Sequence, residues 1–243
     1  VAGNGDRGTR RKRNTMTGAE IEAGTETESA VTVADTVQWL HDEGLARLAV
    51  IGATAPSPIV AFTVEVATGT VTAFPVAVTG PGTDVLTLPA DDLPPPSGTA
   101  KRLVVVGLTA TESVLVLDLA ALPTLGIHAA RPETTARAWV AQLLLDPEIT
   151  ITTNSADLAV PAGNRCRFTF IPGGGTLLMV DDKRPPLTTV TLNPAGDGTE
   201  QLDVADDGSA ELYLGNRFWQ LRHVLGIGDL TWAALTAQLE PAD

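Results

Sequence analysis

The chain has 243 residues, 44% of them hydrophobic, one cysteine (Cys166) and a formal net charge of −13. That length suffices for one large domain or two small ones around an ordinary core. A single cysteine excludes an intramolecular disulfide and a cysteine-based zinc site, and points to a reducing, cytoplasmic compartment. Five of the 16 basic and one of the 29 acidic residues lie in 1–15, so the remainder holds 11 against 28, a charge of −17. Such a body repels nucleic acid and anionic membrane. No apolar run reaches the roughly 18 residues of a transmembrane span, so membrane insertion is not expected.

Residues 1–30 are polar and lack an apolar period, which predicts a disordered arm. Met16 follows a polar stretch, as an upstream start or an arm ahead of the folded part would give. The basic cluster "RGTRRKR" (7–13) is the one part suited to touching nucleic acid or acidic lipid. From Thr32 the pattern changes. "TVADTVQWLHDEGL" places Val33, Val37 and Leu40 on one helical face, with Thr32 as N-cap and Gly44 as terminator. Three strands are expected next, "RLAVIGA", "IVAFTVEV" and "TVTAFPVAV", the last two joined by a turn at Thr68 and Gly69. This makes a small α+β unit over 31–88. The run "PADDLPPPSGTA" excludes helix and central strand, and reads as a Pro-rich linker over 89–100.

A second unit, 101–243, is expected to be α/β with C-terminal hairpins and helices. "RLVVVGL" and "SVLVLDLA" form a hairpin around "TATE", followed by the strand "TLGIHAA", a helix from Pro132, and the strand "EITITTN". That order predicts a βαβ unit with a parallel pair. Ala136, Trp139, Val140, Leu143 and Leu144 make the buried stripe of its helix, while Arg137 and Gln142 fall on the other side of the wheel. "CRFTFIP", "TLLMVDD", "LTTVTL", "EQLDVA" and "AELYLG" then read as short antiparallel strands, with Gly173, Gly174 and Gly175 at a hairpin tip. Two helices are expected to close the chain. Asn216 caps one carrying Phe218, Leu221 and Leu225, and Asp229 caps another carrying Trp232, Leu235 and Leu239. The fold class is α/β (α+β).

Chemistry-bearing motifs are scarce. A phosphate loop needs glycine N–H groups, a lysine and a hydroxyl in the frame G-x-x-x-x-G-K-[ST]. On His128 to Thr135 that frame puts His128 and Glu133 at the glycines and Thr134 at the lysine, leaving only Thr135 in place. Glu133 would also repel a phosphate at the helix N-terminus. "TLLMVDD" ends in Asp181 and Asp182 as a magnesium-binding strand would, yet the turn "DDKRPP" makes them exposed turn residues. "DVADDGSAEL" departs from the calcium loop at Ala205 and Leu214, which stand where ligands belong. His41, His128 and His223 form no ligand pair, and neither a G-x-S-x-G elbow nor an H-E-x-x-H helix occurs. No catalytic, cofactor or metal site follows, and the chain reads as not an enzyme. His128, at the carboxyl end of a strand, is the single candidate for lining a ligand site.

"SVLVLDLAALPTLGIHAARPETTARAWVAQLL" resembles the entry to the motor domain of FtsK/SpoIIIE-type translocases and type VII secretion ATPases. It is closer to degenerate copies of that segment in large actinobacterial proteins with LysM or transcriptional-activator domains. The likeness spans about 33–182 in layout and 112–145 in motif, and fails at the ATP-handling residues, so no functional residue transfers. "FWQLRHVLGIGD" is similar to a helix of winged-helix activators, but only Arg217 and Arg222 accompany it on an acidic body, which argues against DNA reading. The expected function is non-enzymatic: a protein-interaction or accessory component of a larger actinobacterial or phage-encoded, secretion-related assembly. Phe218, Trp219 and Trp232 are the candidate partner-binding residues. The alternative is a nucleotide-responsive regulator descended from a translocase ATPase.

Overall fold

A computed structural model describes residues 31–76, 84–98, 101–161, 163–170, 175–196 and 198–238. The expected N-terminal arm, most of the glycine tip at 173–175, the end of the Pro-rich stretch and Leu239 lie outside the described residues. Helix α1 (Val33–Trp39) begins at a capping box: the Asp35 N–H donates to the Thr32 hydroxyl at 3.2 Å, and the Thr32 N–H donates to the Asp35 carboxylate at 2.9 Å. Gly44 does not end it. A π-helical turn, Leu40–Gly44, leads straight into α2 (Leu45–Thr54).

The reason is steric. The Trp39 indole lies against Gly44 so closely that a Cβ there would sit 2.8 Å from the ring, so the glycine serves contact rather than termination. The Trp39 Nε1–H donates to Glu43 at 2.8 Å, which holds the ring in place. "RLAVIGA", expected as a strand, is therefore helical, with Leu48 and Ile51 continuing the buried face from Leu40.

The strands that follow are β1 (Ile59–Glu65), β2 (Val71–Pro75), β3 (Leu86–Leu88), β4 (Leu103–Thr109), β5 (Ser113–Asp118) and β6 (Thr124–His128). Then come α3 (Pro132–Leu143), β7 (Thr150–Thr153), β8 (Cys166–Phe168), β9 (Thr176–Asp181), β10 (Thr188–Leu192), β11 (Glu200–Val204), β12 (Ala210–Leu214), β13 (Arg217–Val224) and α4 (Asp229–Gln238). All these strands join one sheet in the order β3-β2-β1-β5-β4-β13-β12-β11-β6-β10-β9-β7-β8. Because β1 pairs with β5, from Ala61↔Leu117 to Glu65↔Ser113, the Pro-rich stretch connects parts of one sheet rather than separating two packed units. The described residues belong to one compact unit within Val31–Asp243.

The sheet curls back on itself. Five strands stand between β5 and β10 in the order, yet the Thr188 hydroxyl at β10 donates to the Leu119 carbonyl just after β5, and the Arg102 side chain just before β4 donates to Asp182 just after β9 and to the Pro186 carbonyl just before β10. Helix α3 fills the resulting concavity. Trp139, fully buried, packs there with side chains such as Val104, Leu117, Ile127, Leu202 and Leu221. The opposite face of β1, β2, β4 and β5 is covered by α1, the π turn and α2, with Leu40, Leu48 and Ile51 buried against it.

Three expectations are corrected here. β6 and β7 run parallel, but β10 and β9 stand between them, so the βαβ unit is split by a hairpin formed later in the chain. The helix expected after Asn216 is strand β13: Gly215 and Asn216 make a two-residue turn that pairs Leu214 with Arg217, and 217–221 alternate between the two faces. Arg137 and Gln142 are structural rather than surface residues. Arg137 is buried and bonded to Asp229 and to the Asp157 carbonyl. The Gln142 amide bonds both the N–H and the C=O of Val105 where β4 bulges.

Candidate functional site

Residues paired across adjacent strands share a face, as do residues two apart along one strand. His128 on β6 lies opposite Asp203 on β11, Asp203 opposite Glu211 on β12, and Glu211 opposite Gln220 on β13. One step along the strands, a second row runs Phe218, Tyr213, Gln201, Gly126, Thr191 and Leu177, from β13 to β9. A third row holds Thr124, Thr189, Met179, Thr152 and Arg167. Leu125, Ile127, Leu202 and Leu212 point the other way, into the core around α3.

Every residue of these three rows is half-buried or exposed, whereas α1 and α2 cover the corresponding face only over β1, β2, β4 and β5. The second row crosses six strands without a charged side chain. Tyr213 and Phe218 rings pack at 5.2 Å, and the Tyr213 hydroxyl donates to Glu211 at 2.5 Å, which raises the phenol pKa. Gln201 donates to Asp203 at 3.2 Å. Around Gly126, the Gln201 Oε1 and His128 Nε2 atoms are buried and have no hydrogen-bond partner among the described residues. The row of acids ends in a depression of about 480 Å³ lined by His128, Asp203, Ser209, Glu211 and Gln220.

The residues singled out as partner-binding do not form one surface. Phe218 is 51% exposed on the open face. Trp219, its neighbour in the strand, faces the core and meets Phe74 edge-on at 5.2 Å. Trp232 is buried on α4, with the Arg137 guanidinium 5.8 Å from its ring centre. Sequence reasoning placed Phe218 and Trp219 on one helical surface because it missed the hairpin. It also missed Tyr213, Gln201 and Thr191, whose relation to Phe218 exists only through strand register.

The turn from β6 to α3 is short and internally satisfied. Asn193 clamps Ala129, accepting from its N–H at 3.0 Å and donating to its carbonyl at 3.0 Å. Arg131 pairs with Glu133 at 3.1 Å and with Asp229 at 2.7 Å, and Arg137 reaches the same Asp229 at 2.6 Å. These guanidinium groups, Arg137 before Arg131, hold the Asp229 carboxyl below its ordinary range. Two carboxylates thus surround the helix N-terminus where a phosphate loop would offer free N–H groups.

Among the described residues, no three His, Cys, Asp or Glu side chains gather as metal ligands. Cys166 is free and buried, and burial pushes its thiol pKa up. His41 sits in the π turn, where burial lowers its pKa. Among the described residues, no helix is long and apolar enough to cross a membrane. Comparison with protein-family models, curated proteins and solved structures finds no match for this chain.

Proposed function

We propose that this protein acts by association, as a non-enzymatic component of a larger protein assembly, and that the open face of β13, β12, β11, β6, β10 and β9 is its contact surface. The row from Phe218 to Leu177 carries this reading, because it sets an aromatic pair, Phe218 and Tyr213, along an uncharged strip of the open face in a chain with only 4% aromatic residues. Phe and Tyr in a strip without charge are the composition of interface centres. Asp203 and Glu211 border the row, so the partner is a flat protein surface with a basic margin. A second copy of this acidic chain would bring like charges together.

The resemblance of 112–145 to translocase and secretion ATPases supports a setting in a secretion-related assembly, and the lone Cys166 supports a reducing, cytoplasmic one. The rival reading, a nucleotide-responsive regulator, finds no support at the β6–α3 turn, where Glu133 and Asp229 neutralise the arginines. The test is site-specific photo-crosslinking in the native host, with the probe at Thr191 on the open face and, as control, at the exposed Leu230 on α4. The expected result is one protein adduct from Thr191, absent from Leu230 and lost on reversing the charges of Asp203 and Glu211 to lysine. Equal labelling from both positions, no adduct, or an adduct with a second copy of the chain would overturn the proposal.

A further inference from the structure

Outside residues 1–15, four of the 11 basic side chains, Lys101, Arg102, Lys183 and Arg184, come from two short segments, before β4 and after β9. The curl of the sheet brings these segments together. Arg102, only 1% exposed, donates to the Asp182 carboxylate, to the Arg184 carbonyl and, at 2.6 Å, to the Pro186 carbonyl. Its Nε–H is buried without an acceptor among the described residues. Lys101 bonds Glu148, and the charges of Lys101, Lys183 and Arg184 all hold the Glu148 carboxyl below its ordinary range.

A cleft of about 750 Å³ opens between this cluster and α2, with Lys101, Arg102, Asp118, Asp182 and Arg184 on its walls. From α2 only uncharged side chains face it, Ala49, Val50, Ala53 and Thr54 among them. The space exceeds that of a bare ion, and Arg184 contributes a guanidinium with no carboxylate within ion-pair distance among the described residues.

We propose that this cleft binds a small anion of the phosphate-ester class, held by Lys101 and Arg184 above the buried Arg102 guanidinium. Arg102 is fixed by Asp182, which compensates its charge, and by two carbonyls, so it serves as a rigid floor, and the uncompensated positive charge at the cleft, among the described residues, is that of Arg184. Asp118 makes the site proton-sensitive. Burial raises its carboxyl to about 6, against the opposing effects of the Ala120 N–H and of Arg102, while Asp182 adds to the rise. When ionised, Asp118 places a negative charge on the wall and opposes the ligand. When protonated it does not. The other charged groups on the cleft walls are Lys101, Arg102, Asp182 and Arg184, with Lys183 and the Lys101 partner Glu148 beside them. Binding therefore takes up a proton and tightens as pH falls through about 6.

Calorimetric titration of the full chain tests this with sulfate, a tetrahedral dianion that does not itself titrate in this range, and with pyrophosphate and citrate. Sulfate affinity is expected to rise about tenfold from pH 7.5 to pH 5, following the protonated fraction of Asp118. Asp118→Asn should bind at pH 7.5 as the unaltered protein does at pH 5, with the pH dependence gone. Arg184→Ala, an exposed change whose fold is checked by circular dichroism, should weaken pyrophosphate at least tenfold. Absence of binding by sulfate and pyrophosphate, binding indifferent to Arg184→Ala, or a pH dependence that survives Asp118→Asn would overturn the proposal. Citrate bound as tightly as pyrophosphate would overturn the phosphate assignment.

Discussion

The two faces of the sheet over β6, β11 and β12 are built from alternating residues of the same strands, yet they obey different rules. On the inner face Leu125, Ile127, Leu202 and Leu212 lock against α3, and each is constrained by volume. On the outer face Gly126, His128, Gln201, Asp203, Tyr213 and Glu211 meet no helix, and two of their polar atoms lack partners among the described residues. Stability resides on one side, and the other side is free to carry recognition.

Substitutions graded across that contrast should sharpen it. Trp139→Ala, at the centre of the inner face, is expected to cost about 3–5 kcal/mol, read as a lowered denaturant midpoint. A cost under about 1 kcal/mol would mean that α3 does not fill the concavity. The next effect lies at the curl, where Asp118 keeps its proton to about pH 6 when folded but releases it near 3.8 when unfolded. Stability should therefore fall by about 3 kcal/mol as pH rises through that window, and Asp118→Asn should flatten this part of the profile. A profile unchanged by that substitution would remove Asp118 as its cause.

Gln142→Ala should cost about 1–3 kcal/mol, because it strands the Val105 N–H and C=O at the β4 bulge. Its thermal unfolding against that of the unaltered protein decides whether the amide is structural. Smallest of all, Thr191→Ala on the open face should change stability by no more than about 0.5 kcal/mol. A loss of several kcal/mol there would show that the outer face is part of the fold's core, and would break the division drawn between the faces.

Where neighbours in space were neighbours in sequence, patterns sufficed. The Thr32 N-cap, the stripe from Ala136 to Leu144, the turn between β1 and β2, and α4 from Asp229 were all legible, since each is set by residues within a few positions of one another. The errors arose where a distant contact outweighed a local signal. Gly44 has a helix-ending composition but yields to the Trp39 ring, and 217–224 has a helical spacing of apolar residues that loses to pairing with β12 and β4. For that strand the Gly215–Asn216 turn was the readable warning. Arg137 and Gln142 looked like surface residues because their acceptors, Asp229 and Val105, arrive from other parts of the chain.

Composition, the single cysteine and the local helical and hairpin signals were thus enough to place this protein in the α/β (α+β) class and to identify the face of α3 that is buried. Only tertiary structure decided that β9 and β10 insert between β6 and β7, that His128, Asp203, Glu211 and Gln220 form a row, and that Lys101, Arg102, Asp118, Asp182 and Arg184 share a cleft. Strand register and sheet curvature join residues remote along the chain, and no local periodicity encodes which remote strand supplies the next hydrogen-bond partner.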